Sequence, residues 1–118
     1  MAGNSIFERD YVLLDGAMGT MLQAAGMKMG ETPEIHKSYI EAGADIVYAN
    51  TFGANRYKME NTGYSVKELI SAAIKNAKEA AKGTDTLVAL DLGPIGQLLE
   101  PTGSLTFEEA YDIFKEEV

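Results

Sequence analysis

Three polar residues, Asp15, Asn50 and Asp91, each follow an apolar run and stand beside a loop of small residues. Glycines in such loops let backbone amides approach a small ligand, while carboxylate and carboxamide side chains bind its polar groups. The repeated pattern predicts the rim of an active site that binds a small polar molecule.

Asp15 and the loop after it match the two charged ends of an α-amino acid. The Asp15 carboxylate can accept hydrogen bonds from an ammonium group, and the amides from Gly16 to Thr20 can bind a carboxylate. The alternative is a tight strand-to-helix turn in which Asp15 acts as a cap. The motif alone leaves both interpretations open.

The other two loops allow the same pair of interpretations. Asn50 and Thr51 supply an amide and a hydroxyl that would orient a bound amino acid, or would cap the short helix that follows. The loop with Asp91, Gly93 and Gln97 would line a pocket, or would build a rigid turn. We favour the pocket, because all three loops follow predicted strands.

The elements that position these loops alternate between strand and helix. The predicted strands are Tyr11–Asp15, Asp45–Ala49 and Thr86–Leu92. Two short helices are predicted at Met18–Ala25 and Arg56–Asn61. A third is capped by Thr32 and stops at Gly43, and a fourth is capped by Ser65 and ends at Gly83. The last helix is capped by Thr106, and its predicted inward residues are Phe107, Ala110, Tyr111 and Phe114. This order predicts an α/β fold with parallel strands joined by crossover helices.

The spacing of the strands is close to the period of a βα unit in an eight-stranded (βα)8 TIM barrel. We therefore expect residues 1–118 to form one partial barrel domain, the N-terminal part, with about three βα units, the start of a fourth helix and no second domain. Its open strand edges would favour self-association.

The composition excludes several function classes. Eighteen acidic and ten basic residues give a net charge of −8, which disfavours binding to nucleic acid or to anionic membranes. No cysteine is present, and His36 is the single histidine, expected to be solvent-exposed or partly packed. The N-terminus shows no targeting segment, so the expected location is the cytoplasm.

The segments LLDGAMGTMLQ, IHKSYIEAGADIVYANTFGANRYKM and LDLGPIGQLLEPTG together resemble the start of the homocysteine S-methyltransferase family. The likeness extends to the homocysteine-binding barrel of cobalamin-dependent methionine synthases. The resemblance implies a (βα)8 barrel that binds homocysteine, activates its sulfur as a zinc thiolate and transfers a methyl group to it. In methionine synthases the methyl group comes from methylcobalamin, which methyltetrahydrofolate recharges.

The resemblance also implies roles for individual residues. It assigns Asp15 to the substrate ammonium. The residues that it places on the carboxylate side or near the amino-acid pocket are Gly16, Ala17, Gly19, Thr20, Asn50, Thr51, Gly93 and Gln97. No catalytic residue follows from the matched motifs.

Two departures from the family pattern affect these expectations. The zinc-binding cysteines of the family lie in later Asn-Cys and Gly-Gly-Cys-Cys segments, and this chain has no cysteine. We therefore expect it to bind no cofactor and to lack methyl-transfer activity alone. The connection from Gly26 to Ile35 is also shorter than the family's. The alternative to a methyltransferase portion is a noncatalytic fragment or half-barrel assembly module.

Overall fold

A computed structural model of the chain describes residues 6–18, 21 and 32–118. Its helices are α1 (Thr32–Glu41), α2 (Arg56–Met59), α3 (Val66–Ala81) and α4 (Phe107–Glu117), and its strands are β1 (Ile46–Tyr48) and β2 (Leu87–Ala89). A short 3-10 turn covers Ile6–Glu8. The predicted helix Met18–Ala25 and the connection from Gly26 lie almost entirely outside the described residues.

The strands β1 and β2 pair in parallel, with Val47 opposite Val88. The amide of Ala49, the residue after β1, donates to the carbonyl of Ala89 at the end of β2 at 2.8 Å. Both strands are shorter than predicted. The prediction of an α/β fold with parallel strands is confirmed.

The predicted first strand, Tyr11–Asp15, is wrong as a regular strand. Only Leu14 forms a parallel bridge, to Ile46 at the start of β1. The neighbouring amides bind carboxylates instead of extending the ladder: Leu13 N donates to Asp45 Oδ2 at 2.9 Å. At the other end of the pairing, Tyr48 N donates to Asp15 Oδ2 at 3.1 Å. Two acidic side chains therefore limit the pairing to one bridge.

The described chain divides into two compact units. The first comprises Met1–Asn50 and Ile74–Leu90, and the second comprises Thr51–Ala73 and Asp91–Val118. Val47 and Ala49 are almost fully buried in the first unit, while Ile95, Leu105 and Ile113 form a core in the second.

Helix α1 begins at Thr32 itself and ends in a Schellman turn. Gly43 has φ 107°, a left-handed conformation that glycine adopts without steric cost. Ala44 N donates to Tyr39 O, and Gly43 N donates to Ile40 O, both at 3.0 Å. These two hydrogen bonds are the pair that defines the motif. The predicted stop at Gly43 is confirmed, and it directs the chain into β1.

Helices α3 and α4 both begin with capping boxes. At α3, Ser65 Oγ accepts from Glu68 N at 3.1 Å, and Glu68 Oε2 accepts from Ser65 N at 3.0 Å. Thr106 and Glu109 form the same reciprocal pair at α4. Both predicted caps are confirmed, as is the end of α3, which Gly83 follows with φ 81°.

The predicted inward face of α4 is correct only in part. Ala110 is buried, but Phe107 is 72% exposed and Tyr111 is 57% exposed. The side of α4 that meets the core of the second unit carries Ala110 and Ile113, with Phe114 half-buried against it. Part of the apolar side of α4 is therefore left uncovered by the described residues.

The capping box of α3 generates a stability prediction. Replacing Ser65 with alanine removes the acceptor for Glu68 N and should lower the free energy of unfolding by about 1 kcal/mol. Urea unfolding followed by circular dichroism measures the change. Ser71→Ala, the same substitution at an exposed position inside α3, should leave stability unchanged or slightly higher. Equal losses in the two variants would contradict the assigned cap.

Candidate functional site

In the first unit, Asp15 lies at the carboxyl end of β1. Its backbone amide donates to Ile46 O at 3.0 Å, and its side chain accepts from the amide of Tyr48, the last residue of the strand. Ligands of parallel α/β folds bind at this end of the strands. Asn50, two residues beyond Tyr48, is exposed. The Asp15 side chain and Asn50 thus both lie at the carboxyl end of β1, where the fold places binding loops.

Tyr39 of α1 holds the loop that follows Asp15. Its phenolic hydroxyl donates to the carbonyl of Ala17 at 2.7 Å. A Cβ atom added to Gly16 would lie 2.9 Å from Tyr39 Oη and 3.2 Å from Cε1 of the same ring. Gly16 therefore leaves room for the tip of the tyrosine, which would have to shift if a larger residue replaced the glycine. Gly19 and Thr20, predicted in the same loop, lie outside the described residues.

His36 is fully buried, which corrects the expectation of an exposed or partly packed side chain. Neither ring nitrogen has a hydrogen-bond partner within the part of the chain that the structure describes. Burial lowers the pKa of His36, and the negative charge of Asp15 opposes this shift without reversing it. The imidazole is thus held in its neutral form.

The sequence analysis did not identify Tyr39, and it misplaced His36. A signal was present: the two residues are three positions apart on α1 and so share one face of the helix. That face points toward Asp15 and the loop after it, as the Tyr39 hydrogen bond and the charge of Asp15 at His36 show.

In the second unit, Thr51 joins two predicted loops. Its hydroxyl donates to the carbonyl of Asp91 at 2.8 Å and accepts from the amide of Asp91 at 3.0 Å. Thr51 is 1% exposed. The side chain therefore uses its polar capacity to hold the loops after Asn50 and Leu90 together.

Gly93 is required by the same contact between loops. A Cβ atom at this position would lie 1.9 Å from the carbonyl oxygen of Phe52, well inside van der Waals contact. Nearby, Asn55 Nδ2 donates to Pro94 O at 3.3 Å. Gln97 is exposed on this loop. The second unit thus brings Thr51 and Gly93 into one loop pair.

The cap of α2 is Asn55, so the alternative that Asn50 or Thr51 caps this helix is wrong. Asn55 Oδ1 accepts from Lys58 N at 3.0 Å, three residues later. Asn55 directly precedes the helix and its side chain accepts from the third helical amide, so the N-cap position is taken. Asn50 and Thr51 lie too early in the chain for it.

The donor set of this chain does not fit a zinc site. The sequence has no cysteine and one histidine. Among residues 6–18, 21 and 32–118, no three His, Asp or Glu side chains lie close enough to hold a metal ion. No helix within those ranges has the length and apolarity needed to cross a membrane.

Comparison with known proteins gives consistent matches. A family model described as homocysteine S-methyltransferase matches residues 12–118. The methionine synthase of Mycobacterium tuberculosis is 42% identical in an alignment of 59 residues, covering 35% of this chain and 5% of that protein.

Two crystal structures of the homocysteine methyltransferase MmuM from Escherichia coli share the fold. The metallated form gives a TM-score of 0.67 at 27% identity, and the oxidised form gives 0.64 at 28%. In both, the match covers 77% of this chain and 40% of the solved chain. The present chain therefore spans much less than the full length of its relatives.

The loop contact at Gly93 generates a prediction. Gly93→Ala should lower the free energy of unfolding by roughly 1–3 kcal/mol, because the new methyl group overlaps the Phe52 carbonyl. Gly53→Ala is the matched control, since a Cβ atom there meets nothing within 4 Å, and its effect should stay within about 0.5 kcal/mol. Thermal and urea unfolding measure both. Similar stabilities of the two variants would refute the contact.

The burial of His36 generates a pH prediction. A lowered pKa in the folded state means that the unfolded chain binds the proton more readily, so stability falls as pH drops below the unfolded value of about 6.5. Because His36 is the single histidine, its ring resonances in NMR spectra titrate alone. Their midpoint should lie below about 6.5 in the folded protein. A midpoint above that value would contradict the assigned environment.

Proposed function

Because the chain belongs to the homocysteine S-methyltransferase family, we propose that it contributes the amino-acid-binding part of a methyl transfer that converts homocysteine into methionine. The fold that we propose for the complete enzyme is a (βα)8 barrel, of which this chain supplies the N-terminal βα units. The supporting observation for the fold is the likeness to a solved homocysteine methyltransferase at a TM-score of 0.67.

The observation that carries the proposal is the position of Asp15 at the carboxyl end of β1. An ionised carboxylate is acceptor-only, so it selects for a donor such as the ammonium of homocysteine. Tyr39 fixes the adjoining loop through Ala17, and this keeps the amides after Asp15 in a defined arrangement. We propose that those amides bind the carboxylate of the same substrate.

For the remaining predicted residues we propose different contributions. Asn50 and Gln97 are both exposed, and we propose that each offers its amide group to a substrate. The hydroxyl of Thr51 is engaged with Asp91, so its contribution is to hold the loop that also contains Gly93. Any contact from Thr51 to homocysteine would then come from its backbone.

Activation of the sulfur needs groups that this chain does not contain. A thiol has a pKa of about 8.5, and zinc coordination is the usual way to make it a thiolate at neutral pH. The chain has no cysteine and one histidine, so its own residues do not assemble the family's zinc site. We propose that the 118 residues bind homocysteine and, by themselves, do not transfer a methyl group from cobalamin or methyltetrahydrofolate.

Binding of homocysteine tests the role of Asp15. Asp15→Asn should weaken binding of homocysteine by about tenfold or more, because a charge-assisted hydrogen bond to the ammonium becomes a neutral one. Isothermal titration calorimetry with the purified chain measures the affinity. Asp85→Asn, the same substitution at an exposed position, is the matched control and should bind like the unmodified chain.

A second ligand separates substrate recognition from loss of structure. The compound 4-mercaptobutyrate has the thiol and the carboxylate of homocysteine but lacks the amine. The unmodified chain should prefer homocysteine over it, and Asp15→Asn should lose most of that preference. If the substitution weakens both ligands equally, Asp15 does not bind the ammonium. If neither ligand binds the unmodified chain, the proposed function of the chain itself is wrong.

A further inference from the structure

Helix α4 carries an apolar stripe that the described part of the second unit does not cover. Phe107, Tyr111 and Val118 are exposed by 72%, 57% and 88%, and Phe114 is half-buried beside them. Phe107, Tyr111, Phe114 and Val118 are spaced by four, three and four residues, which places them on one side of the helix and of its C-cap residue Val118. With Leu99 they line an open groove of about 480 Å³.

One flank of this stripe carries two opposite charges. Glu108 and Lys115 are both exposed, and they are seven residues apart, which is about two helical turns or roughly 10 Å along the axis. The Nζ atom of Lys115 lies 5.9 Å from the centre of the Tyr111 ring, so this ammonium borders the stripe. The opposite flank, with Ala110 and Ile113, faces the core of the unit.

We propose that two copies of the chain associate by packing their α4 helices antiparallel across this stripe. A two-fold axis at the level between Tyr111 and Asp112 places each Glu108 opposite Lys115 of the other copy. The charges therefore match in two symmetric pairs, as an isologous interface requires. A parallel two-fold arrangement would instead put the two charged flanks on opposite sides of the interface, so neither Glu108–Lys115 pair would form.

The overall charge makes this local match important. Each chain carries a net charge of −8, so two copies repel one another at long range. Burial of the aromatic stripe favours association but does not distinguish an antiparallel from a parallel arrangement of the two helices. The Glu108 and Lys115 pairs form in the antiparallel arrangement and therefore select it. A second copy meets both requirements with residues already on α4. This inference is independent of homocysteine binding.

Charge reversal tests the register. Sedimentation velocity of the unmodified chain should show a reversible dimer at micromolar to submillimolar concentration. Glu108→Lys should weaken the dimer by about tenfold, because two attractive pairs become repulsive, and Lys115→Glu should do the same. The double variant with both reversals should restore the original association.

Two controls keep the test decisive. Glu79→Lys changes the net charge by the same amount as Glu108→Lys but lies exposed on α3, and it should leave association unchanged. Circular dichroism checks that each variant retains its helices, and recovery in the double variant excludes simple unfolding. A monomer at all concentrations overturns the proposal. So does a dimer that is insensitive to both reversals, which would instead indicate pairing through another surface such as the strand edges.

Discussion

The carboxylates of Asp15 and Asp45 bind backbone amides at the two ends of the short pairing between Leu14 and β1. Asp45 accepts from Leu13 N, and Asp15 accepts from Tyr48 N. The amide of Leu13, followed by the charge of Arg9, lowers the pKa of Asp45 more than desolvation raises it, so the carboxylate form is favoured. These two bonds, with the Leu14 bridge and the hydrogen bond from Asp45 N to Leu13 O, align the segment with β1, and Tyr39 holds the loop that follows.

This arrangement is compatible with the binding role that we propose for Asp15. An ionised carboxylate has two oxygens and about four acceptor positions, and Oδ2 of Asp15 accepts from the amide of Tyr48. The same bond fixes the direction of the side chain at the end of β1. The sequence left open whether Asp15 caps a following helix or binds a ligand, and the structure adds a third contribution, the bond from Tyr48 N that ties the first loop to β1.

Local chemistry made several elements predictable from the sequence. The caps at Ser65 and Thr106 and the stop at Gly43 depend on residues within a few positions of one another, and all three are confirmed. The strand at Tyr11–Asp15 failed because a hydrophobic run does not reveal that distant carboxylates will take its amides. The burial of His36 and the exposure of Phe107 also depend on which helix face meets the rest of its unit, which no local pattern contains.

The buried neutral His36 also affects what Asp15 can bind. A protonated imidazole would place a positive charge near Asp15 and would compete with the homocysteine ammonium that we propose Asp15 binds. Desolvation disfavours that protonated form and so limits the positive charge that His36 places near Asp15. Burying the imidazole without hydrogen bonds to the described residues costs free energy of folding. The same burial limits the positive charge near Asp15. Acid would reverse both effects together, because protonation of His36 destabilises the fold around it and partly neutralises the carboxylate that the fold presents.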